Sequence, residues 1–297
     1  MARLLGPTDI RVLADSLDLR PGKRWGQNFV VDAGTVRRIA AAAGVGPGEH
    51  VIEVGPGLGS LTLALLETGA SITAVEIDPR LAAALPGIVA ERAPDEAGAL
   101  AVLGADALRI TAAEVADARA VVDEESAAPT SLVANLPYNV AVPVILHALE
   151  TFPSLARVLV MVQAEVADRI VAPPGSRTYG IPSAKVAWFG AARRAGDIGR
   201  AVFWPVPRVD SALVRIDRRD PPDTIVTRRD VFAVVDATFA HRRKVIRGVV
   251  RALAGSAEAG DSALERAGID PLARAETLGI EDFARLAEAV ADFRVAD

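Results

Sequence analysis

A β-branched run that ends in clustered glycines constrains the fold of this chain more than any other segment. The run His50–Gly55 (HVIEVG) is typical of a buried strand, and Gly55, Gly57 and Gly59 permit a tight turn into a helix predicted over Ser60–Glu67. Short apolar runs and helical patterns keep alternating over the first two thirds of the chain. This alternation predicts a doubly wound α/β fold with a mostly parallel sheet.

The other predicted elements divide the chain into two regions. Further strands are predicted at Ser71–Ile77, Leu100–Leu103, Ser131–Ala134, Arg157–Val162, Ala184–Phe189 and Ser211–Ile216, and further helices at Val144–Glu150 and Gln163–Val171. Surface insertions are predicted at Glu91–Gly98 and Asp123–Thr130. The breaker-rich segment Asp220–Asp223 (DPPD) is followed only by helical patterns, at Arg228–Ala240, Arg243–Leu253 and Ile280–Val290. We therefore expect an α/β domain over residues 1–221 and a small all-helical domain over residues 222–297.

Composition and charge limit the classes of function. The absence of cysteine excludes disulfides and thiolate metal sites, and three scattered histidines make a metal centre unexpected. No apolar span suits a membrane helix or a signal peptide, so we expect a cytoplasmic protein without a membrane partner. The net charge is −5, yet residues 191–251 contain 14 Arg and Lys against 7 Asp and Glu. This basic segment is either a face for a phosphate backbone or a set of solvated helix surfaces.

Three positions suit a nucleoside ligand. The loop Gly55–Gly59 reads GxGxG rather than the GxGxxG that cradles a pyrophosphate. Glu76 ends the second predicted strand, where a carboxylate can accept hydrogen bonds from both ribose hydroxyls, and Asp106 follows the third strand and could accept from an adenine amine. Singly, each has a plainer explanation: a strand–helix turn, a solvated carboxylate and a helix cap. Their order along the chain favours S-adenosylmethionine.

The tetrapeptide Asn135-Leu136-Pro137-Tyr138 follows the fourth strand, at the edge where α/β folds bind ligands. The N6 amine of adenine is a poor nucleophile because its lone pair is delocalised. The Asn135 oxygen and a backbone carbonyl at Leu136 could bind the two amine hydrogens and direct the lone pair toward a sulfonium methyl. Pro137 would fix the turn, and Tyr138 would stack on the base. The alternative is a proline turn with a buried tyrosine.

Taken together, these motifs resemble the ribosomal RNA adenine N6,N6-dimethyltransferases. The segments that match are Gly26-Gln27-Asn28-Phe29, Glu53–Thr62, Glu76-Ile77-Asp78, Asn135–Asn139, Met161–Arg169, Tyr179-Gly180, Phe203–Ser211 and Phe239–Arg247. The resemblance implies a Rossmann-like class I methyltransferase domain and S-adenosylmethionine as cofactor. It favours the KsgA-like housekeeping branch, which acts on two adjacent adenosines near the 3′ end of small-subunit (16S) ribosomal RNA and has a role in ribosome biogenesis.

The resemblance also implies roles for individual residues. Cofactor contacts are implied for Asn28, Val30, Gly55, Gly57, Glu76, Ile77, Asp106, Ala107 and Asn135. Asn135, Leu136 and Pro137 would hold the target amine, with Tyr138 and Phe203 on either side of the base; alternatively, Phe203 is a core residue. RNA contacts are implied for Lys23, Arg24, Arg208, Arg242, Arg243, Lys244 and Arg247, and the partner would be the immature 30S subunit, bound by a monomer.

Other functions stay open at this point. The chain could act chiefly as a ribosome-assembly factor that binds without needing catalysis. It could also belong to the erythromycin-resistance branch, which methylates 23S ribosomal RNA, or be a DNA adenine methyltransferase. A nicotinamide dehydrogenase fits least, because the glycine loop lacks GxGxxG spacing.

Overall fold

The computed structural model describes residues 2–19, 28–123, 127–137 and 140–294. The helices are α1 (Pro7–Ser16), α2 (Ala33–Ala43), α3 (Ser60–Leu66), α4 (Pro79–Arg92), α5 (Ala112–Ala120), α6 (Ala141–Thr151), α7 (Ala164–Ile170), α8 (Ile181–Phe189), α9 (Arg228–Phe239), α10 (Arg247–Ala254), α11 (Ala257–Ala267) and α12 (Ile280–Arg294). The strands are β1 (Phe29–Val30), β2 (His50–Val54), β3 (Ser71–Glu76), β4 (Leu100–Gly104), β5 (Ser131–Asn135), β6 (Arg157–Gln163), β7 (Gly190–Ile198), β8 (Phe203–Trp204) and β9 (Ser211–Arg218).

A seven-stranded sheet in the order β4-β3-β2-β5-β6-β9-β7 forms the framework of the α/β region. Strands β4, β3, β2, β5 and β6 are parallel, and β9 joins β6 antiparallel. All five residues of β2 are buried, as expected for a strand covered by helices on both faces. The predicted mostly parallel α/β fold is therefore confirmed.

The strand order places the carboxyl end of β2 at a topological switch point. The chain leaves β2 for β3 on one side, and β5 lies on the other side. Crevices that bind ligands in α/β folds form at such points, because the loops after neighbouring strands diverge there. The loops that follow β2, β3, β4 and β5 all begin at this edge of the sheet.

A two-stranded ribbon made of β1 and β8 is separate from the large sheet. Phe29 pairs with Trp204 and Val30 with Phe203, antiparallel. The rings of Phe29 and Trp204 are stacked with centroids 6.3 Å apart. The main-chain N–H of Val31 extends the pairing by donating to Val202 O at 2.8 Å.

By their contacts, the residues form two compact units. The first comprises the described residues up to Ala167 together with Arg193–Arg218, and the second comprises Asp168–Ala192 and the described residues from Arg219 onward. The sequence placed the boundary between residues 221 and 222 and did not assign Asp168–Ala192 to the second unit. In that unit α10 and α11 cross closely, since a Cβ on Gly260 would lie 2.4 Å from the Cα of Arg251.

One predicted strand was wrong. The apolar run Ala184–Phe189 lies in α8, which follows Gly180 and has a proline in its first turn. A short apolar run fits a buried helix as well as a buried strand, so periodicity could not separate the two. The strand is the next segment, β7, which is mostly exposed and carries a polar sequence. Among the described residues, no helix is both long and apolar enough to cross a membrane.

Candidate cofactor site and catalytic loop

The loop after β2 has a geometry that requires glycine. Gly55, Gly57 and Gly59 have φ angles of 69°, 60° and 90°, a region that side chains rarely adopt. A Cβ on Gly57 would lie 2.9 Å from the Phe29 ring, and one on Gly59 would lie 2.8 Å from Leu85 Cδ1. The loop is thus closely covered, and it stands at the end of the sheet where ligands bind in this class of fold.

Glu76 is held in place by the backbone around it. One carboxylate oxygen accepts from the N–H of Gly57 at 3.1 Å and the other from the N–H of Asp78 at 2.9 Å. The residue is 5% exposed, and burial raises its pKa, against the opposing effect of these two bonds. Each oxygen keeps a lone pair, so this carboxylate can accept both hydroxyls of a ribose.

Asp106 follows β4 at the same edge of the sheet. Its Oδ1 accepts from the N–H of Leu108 at 2.9 Å and so stabilises a turn; no helix begins here, so the helix cap considered from the sequence is not formed. The residue also lines the cavity described next. The bond to Leu108 and a bond to an adenine amine would use different lone pairs of the carboxylate, so Asp106 can stabilise the turn and bind a ligand at the same time.

A cavity of about 290 Å³ opens at the carboxyl ends of β2, β3, β4 and β5. All nine positions for which the sequence implied a cofactor contact line it, namely Asn28, Val30, Gly55, Gly57, Glu76, Ile77, Asp106, Ala107 and Asn135. Leu136 and Pro137 line it as well. The geometry therefore brings the expected cofactor residues and part of the NLPY motif to one place.

Glu53 is a cavity residue to which the sequence analysis gave no role of its own. It is 1% exposed, and its Oε2 has no hydrogen-bond partner among the described residues. Burial raises its pKa to about 8, against the opposing effect of the Thr62 hydroxyl, and the charge of Glu76 adds to the rise. An acidic residue among the valines and isoleucine of strand β2, two positions before Gly55, was the available signal. Such a carboxyl is costly unless a ligand pairs with it.

The described lining residues of this cavity include acids and no Lys, Arg or His. The acids are Glu53, Glu76 and Asp106. A ligand with positive charge and several hydrogen-bond donors therefore suits the cavity, and a pyrophosphate does not. S-adenosylmethionine, with its sulfonium and ammonium groups, its ribose and its adenine, meets these conditions.

Asn135, the last residue of β5, is the described polar side chain of the NLPY motif. Its Nδ2 donates to the main-chain carbonyl of Asn28 at 3.1 Å. Leu136 is 1% exposed, and its N–H donates to Met161 O, which fixes the chain where it leaves the sheet. The carbonyl of Pro137 accepts from Val140 N at 3.2 Å. Tyr138, expected to stack on the base, lies outside the described residues.

Phe203, expected to cover the other side of the base, lies in β8 and is 2% exposed. It is not among the cavity-lining residues. This position agrees with the alternative considered from the sequence, a core phenylalanine. Stacking on a base would require its ring to become accessible, so that role stays a prediction.

The expected RNA-binding residues have different surroundings. Arg208, Arg243 and Lys244 are exposed. Arg242 is partly buried and pairs with Glu276 at 3.0 Å. Arg247 is exposed, but its guanidinium donates two hydrogen bonds to Asp261, at 2.8 and 2.6 Å. Lys23 and Arg24 lie outside the described residues.

A second cavity, of about 490 Å³ and open to solvent, lies in the second unit, and four of the five described residues that line it are arginines. They are Arg177, Arg242, Arg243 and Arg274, with Glu276 as the fifth. The sequence analysis did not identify Arg177 and Arg274, because they are isolated in sequence and only folding brings them next to the basic run. Convergent guanidinium groups suit phosphate oxygens.

Comparisons with known proteins identify relatives along nearly the whole chain. A family model described as "Ribosomal RNA adenine dimethylase" matches residues 20–292. The chain is 62% identical to "Ribosomal RNA small subunit methyltransferase A" of Thermobifida fusca, covering 97% of this chain and 96% of that protein. It is 57% identical to the protein of the same name from Rhodococcus opacus, over 96% of this chain and 94% of that one.

Solved structures show the same fold. The chain resembles the 23S rRNA methyltransferase ErmE with a TM-score of 0.60 and 25% identity, covering 89% of this chain and 99% of that one. A dimethyladenosine transferase from Plasmodium falciparum gives a TM-score of 0.68 at 20% identity, with coverage of 86% and 94%. The second likeness concerns the fold alone.

Proposed function

The chain belongs to the ribosomal RNA adenine dimethylase family, and on that premise we propose its RNA target and the roles of its residues. It is an S-adenosylmethionine-dependent methyltransferase that acts on adenine in ribosomal RNA. The proposed substrate is a pair of adjacent adenosines near the 3′ end of small-subunit RNA, within the immature 30S subunit. The proposed setting is the cytoplasm, with the chain acting as a monomer.

One observation carries the proposed roles: Asn135 and the three acids line the same cavity. In the proposed arrangement Glu76 accepts the ribose hydroxyls, Asp106 accepts from the cofactor adenine, and the Glu53 carboxyl lies near positive charge. The bound cofactor supplies an electrophilic methyl group. The chain contributes mainly by orientation and by excluding water, which can lower a barrier by about 7–11 kcal/mol when the reacting atoms are aligned.

The target amine is held by acceptors. The Asn135 oxygen accepts one N–H of the target adenine, and a carbonyl of the following turn accepts the other, so that the nitrogen lone pair faces the methyl group. After transfer, the alkylated nitrogen is acidic and loses a proton to water, so no general base is needed. One N–H remains after the first transfer, and Asn135 can hold it for the second. Tyr138 and Phe203 are proposed to contact the base.

The second unit is the proposed RNA-binding part; it contains the helical region expected from the sequence and, in addition, Asp168–Ala192, which includes Arg177. The four-arginine cavity offers a site for backbone phosphates. Replacing Arg243 or Arg274 by Ala should flatten the dependence of RNA affinity on salt, by about 0.7–0.9 in the log–log slope for each phosphate that the variant no longer neutralises. Arg37→Ala is the control, because that arginine lies in the first unit, pairs with Glu67 and has no expected RNA contact.

The enzymatic test uses purified chain, labelled methyl donor and small subunits from cells that lack this modification. We expect the label to be found as N6,N6-dimethyladenosine, on both adenosines of the pair, by mass spectrometry after nuclease digestion. Large subunits and duplex DNA, assayed in parallel, distinguish the erythromycin-resistance and DNA alternatives. Absence of dimethyladenosine from small-subunit RNA would overturn the proposed substrate.

A second candidate function is assembly by binding. The four-arginine cavity, whose lining residues suit phosphate rather than methyl transfer, favours this addition. Asn135→Ala separates the two functions: subunit maturation that proceeds normally with this variant assigns the assembly role to binding, whereas failed maturation assigns it to methylation.

A further inference from the structure

The side-chain amide of Asn135 has a donor, Nδ2, and an acceptor, Oδ1, and the structure shows a hydrogen bond from the donor. Its Nδ2 lies 3.1 Å from the carbonyl oxygen of Asn28. The flipped amide would set two acceptor oxygens against each other, which is unfavourable in a partly buried site. The amide is therefore oriented with its nitrogen on Asn28, and Oδ1 points to a different part of the site.

The carbonyl of Asn28 is itself held by its neighbours in sequence. Phe29 and Val30 form β1, whose pairing with β8 fixes this stretch of backbone. The Phe29 ring stacks on Trp204, and it also lies against the glycine loop, where a Cβ on Gly57 would approach it to 2.9 Å. The ribbon thus touches the glycine loop through Phe29, and Asn28, the residue that precedes the ribbon, holds the Asn135 amide.

We propose that the β1–β8 ribbon is a positioning element, which uses the Asn28 carbonyl to orient the Asn135 amide so that Oδ1 faces the target amine. This inference rests on the proposed function of the site. It means that position 135 must both donate and accept. An amide does this at any pH, a protonated carboxyl can do it, and a carboxylate cannot.

Asn135→Asp tests the inference because its chemistry changes with pH. Above the pKa of the introduced carboxyl, a carboxylate faces the Asn28 carbonyl without a hydrogen, and we expect kcat about 100-fold below that of the unmodified protein. Below that pKa, the protonated acid donates to Asn28 and accepts from the amine. The rate should then recover by up to about tenfold for each pH unit until protonation is complete.

The surroundings favour a measurable recovery. The other titratable groups that line the cavity are Glu53, Glu76 and Asp106, and the described lining includes no cation. Neighbouring carboxylates raise the pKa of an added carboxyl, whereas the positive charge of the bound cofactor lowers it, so the rates must be measured over a wide range of pH. Because the three acids remain in every variant, their own effects on rate are read from Asn135→Ala, which should show no recovery toward low pH.

Single-turnover rates of all three proteins should be compared between about pH 5.5 and about pH 8.5, where the introduced carboxyl titrates. Recovery at low pH in Asn135→Asp alone supports the inference. The inference is overturned if Asn135→Asp is as active as the unmodified protein at high pH. It is also overturned if the rates of Asn135→Asp and Asn135→Ala depend on pH in the same way. Loss of activity in the unmodified protein on its RNA would instead contradict the proposed function, so the two failures are distinct.

A double-mutant cycle provides a second test that does not change the charge at position 135. Trp204→Ala removes the stack that holds Phe29, and we expect about a tenfold loss in rate in the unmodified background. If the ribbon acts through the Asn135 amide, Trp204→Ala should reduce the rate only slightly in a protein that already carries Asn135→Ala. Equal losses in both backgrounds would overturn the inference. Val206→Ala, on an exposed side chain two residues further on, is the control.

Discussion

Glu53→Gln should change the pH dependence of stability in a calculable way. The carboxyl is buried, its Oε2 has no partner among the described residues, and its pKa rises from 4.5 to about 8 in the folded chain. An acid whose pKa is raised by folding binds more protons in the folded state than in the unfolded state between these two values. Its contribution to stability is therefore lost as pH rises from about 4.5 to about 8.

The magnitude follows from linkage. Each pH unit inside that window costs about 1.4 kcal/mol of unfolding free energy. Between pH 4.5 and pH 7 the loss is about 3 kcal/mol, and it levels off above pH 8. Glutamine has no such titration. Its uncharged amide also needs hydrogen-bond partners, so the unfolding free energy of the variant differs from that of the unmodified protein by an additional amount that does not depend on pH.

The measurement is urea denaturation of cofactor-free protein at a series of pH values. The difference in unfolding free energy, Glu53→Gln minus unmodified protein, should increase by about 1.4 kcal/mol for each pH unit between about pH 4.5 and about pH 8. Below and above this range the difference should be constant. A difference that stays constant from about pH 5 to about pH 8 would refute the reasoning, because it would mean that Glu53 is not protonated in the fold.

The same substitution should weaken cofactor binding. A cationic ligand beside Glu53 favours the carboxylate, so binding at pH 7 should release close to one proton, since a group with a pKa of about 8 is about 90% protonated there. Calorimetry in buffers of different ionisation enthalpy counts this proton. Glu53→Gln should release none, and equal release from both proteins would contradict the assignment.

Three further predictions concern the glycine loop, the α10–α11 crossing and the buried histidine of β2. Gly57→Ala should abolish cofactor binding measured by calorimetry, because its Cβ would enter the Phe29 ring at 2.9 Å and its φ is 60°. Gly260→Ala should destabilise the chain by about 2 kcal/mol or more in thermal unfolding, since the added Cβ has no room at the α10–α11 crossing, whereas Gly248→Ala, with nothing within 4 Å, should not destabilise it. His50 is buried and its pKa is lowered, so its contribution to stability should be lost as pH falls below 6.5, and His50→Asn should remove that part of the acid sensitivity in denaturation curves.

The grouping of the candidate cofactor residues around one cavity could be predicted because their positions follow from sequence order. In a parallel sheet, residues that end successive strands meet at one edge, so the positions of Gly55, Glu76, Asp106 and Asn135 were enough to place them together. Glu53 was given no separate role because a single acid in an apolar strand has no pattern of its own. Its importance appears only once the cavity and the unpaired Oε2 among the described residues are known.

The second unit was harder to predict, for two physical reasons. The run Ala184–Phe189 is short and mostly apolar, so it fitted a strand as well as the helix that it forms. Arg177 and Arg274 are far apart in the chain, and single arginines are usually solvated. Only the tertiary structure puts them around one cavity.

The acidic lining has a consequence for turnover. Once its methyl group is transferred, the spent cofactor has lost the sulfonium charge while keeping the ribose and adenine. In the proposed site the attraction that the acids exert on the cofactor is then reduced, whereas the proposed hydrogen bonds to Glu76 and Asp106 are unchanged. Fresh donor therefore has an electrostatic advantage over spent donor in the same cavity, which helps exchange between the two transfers that each adenosine requires.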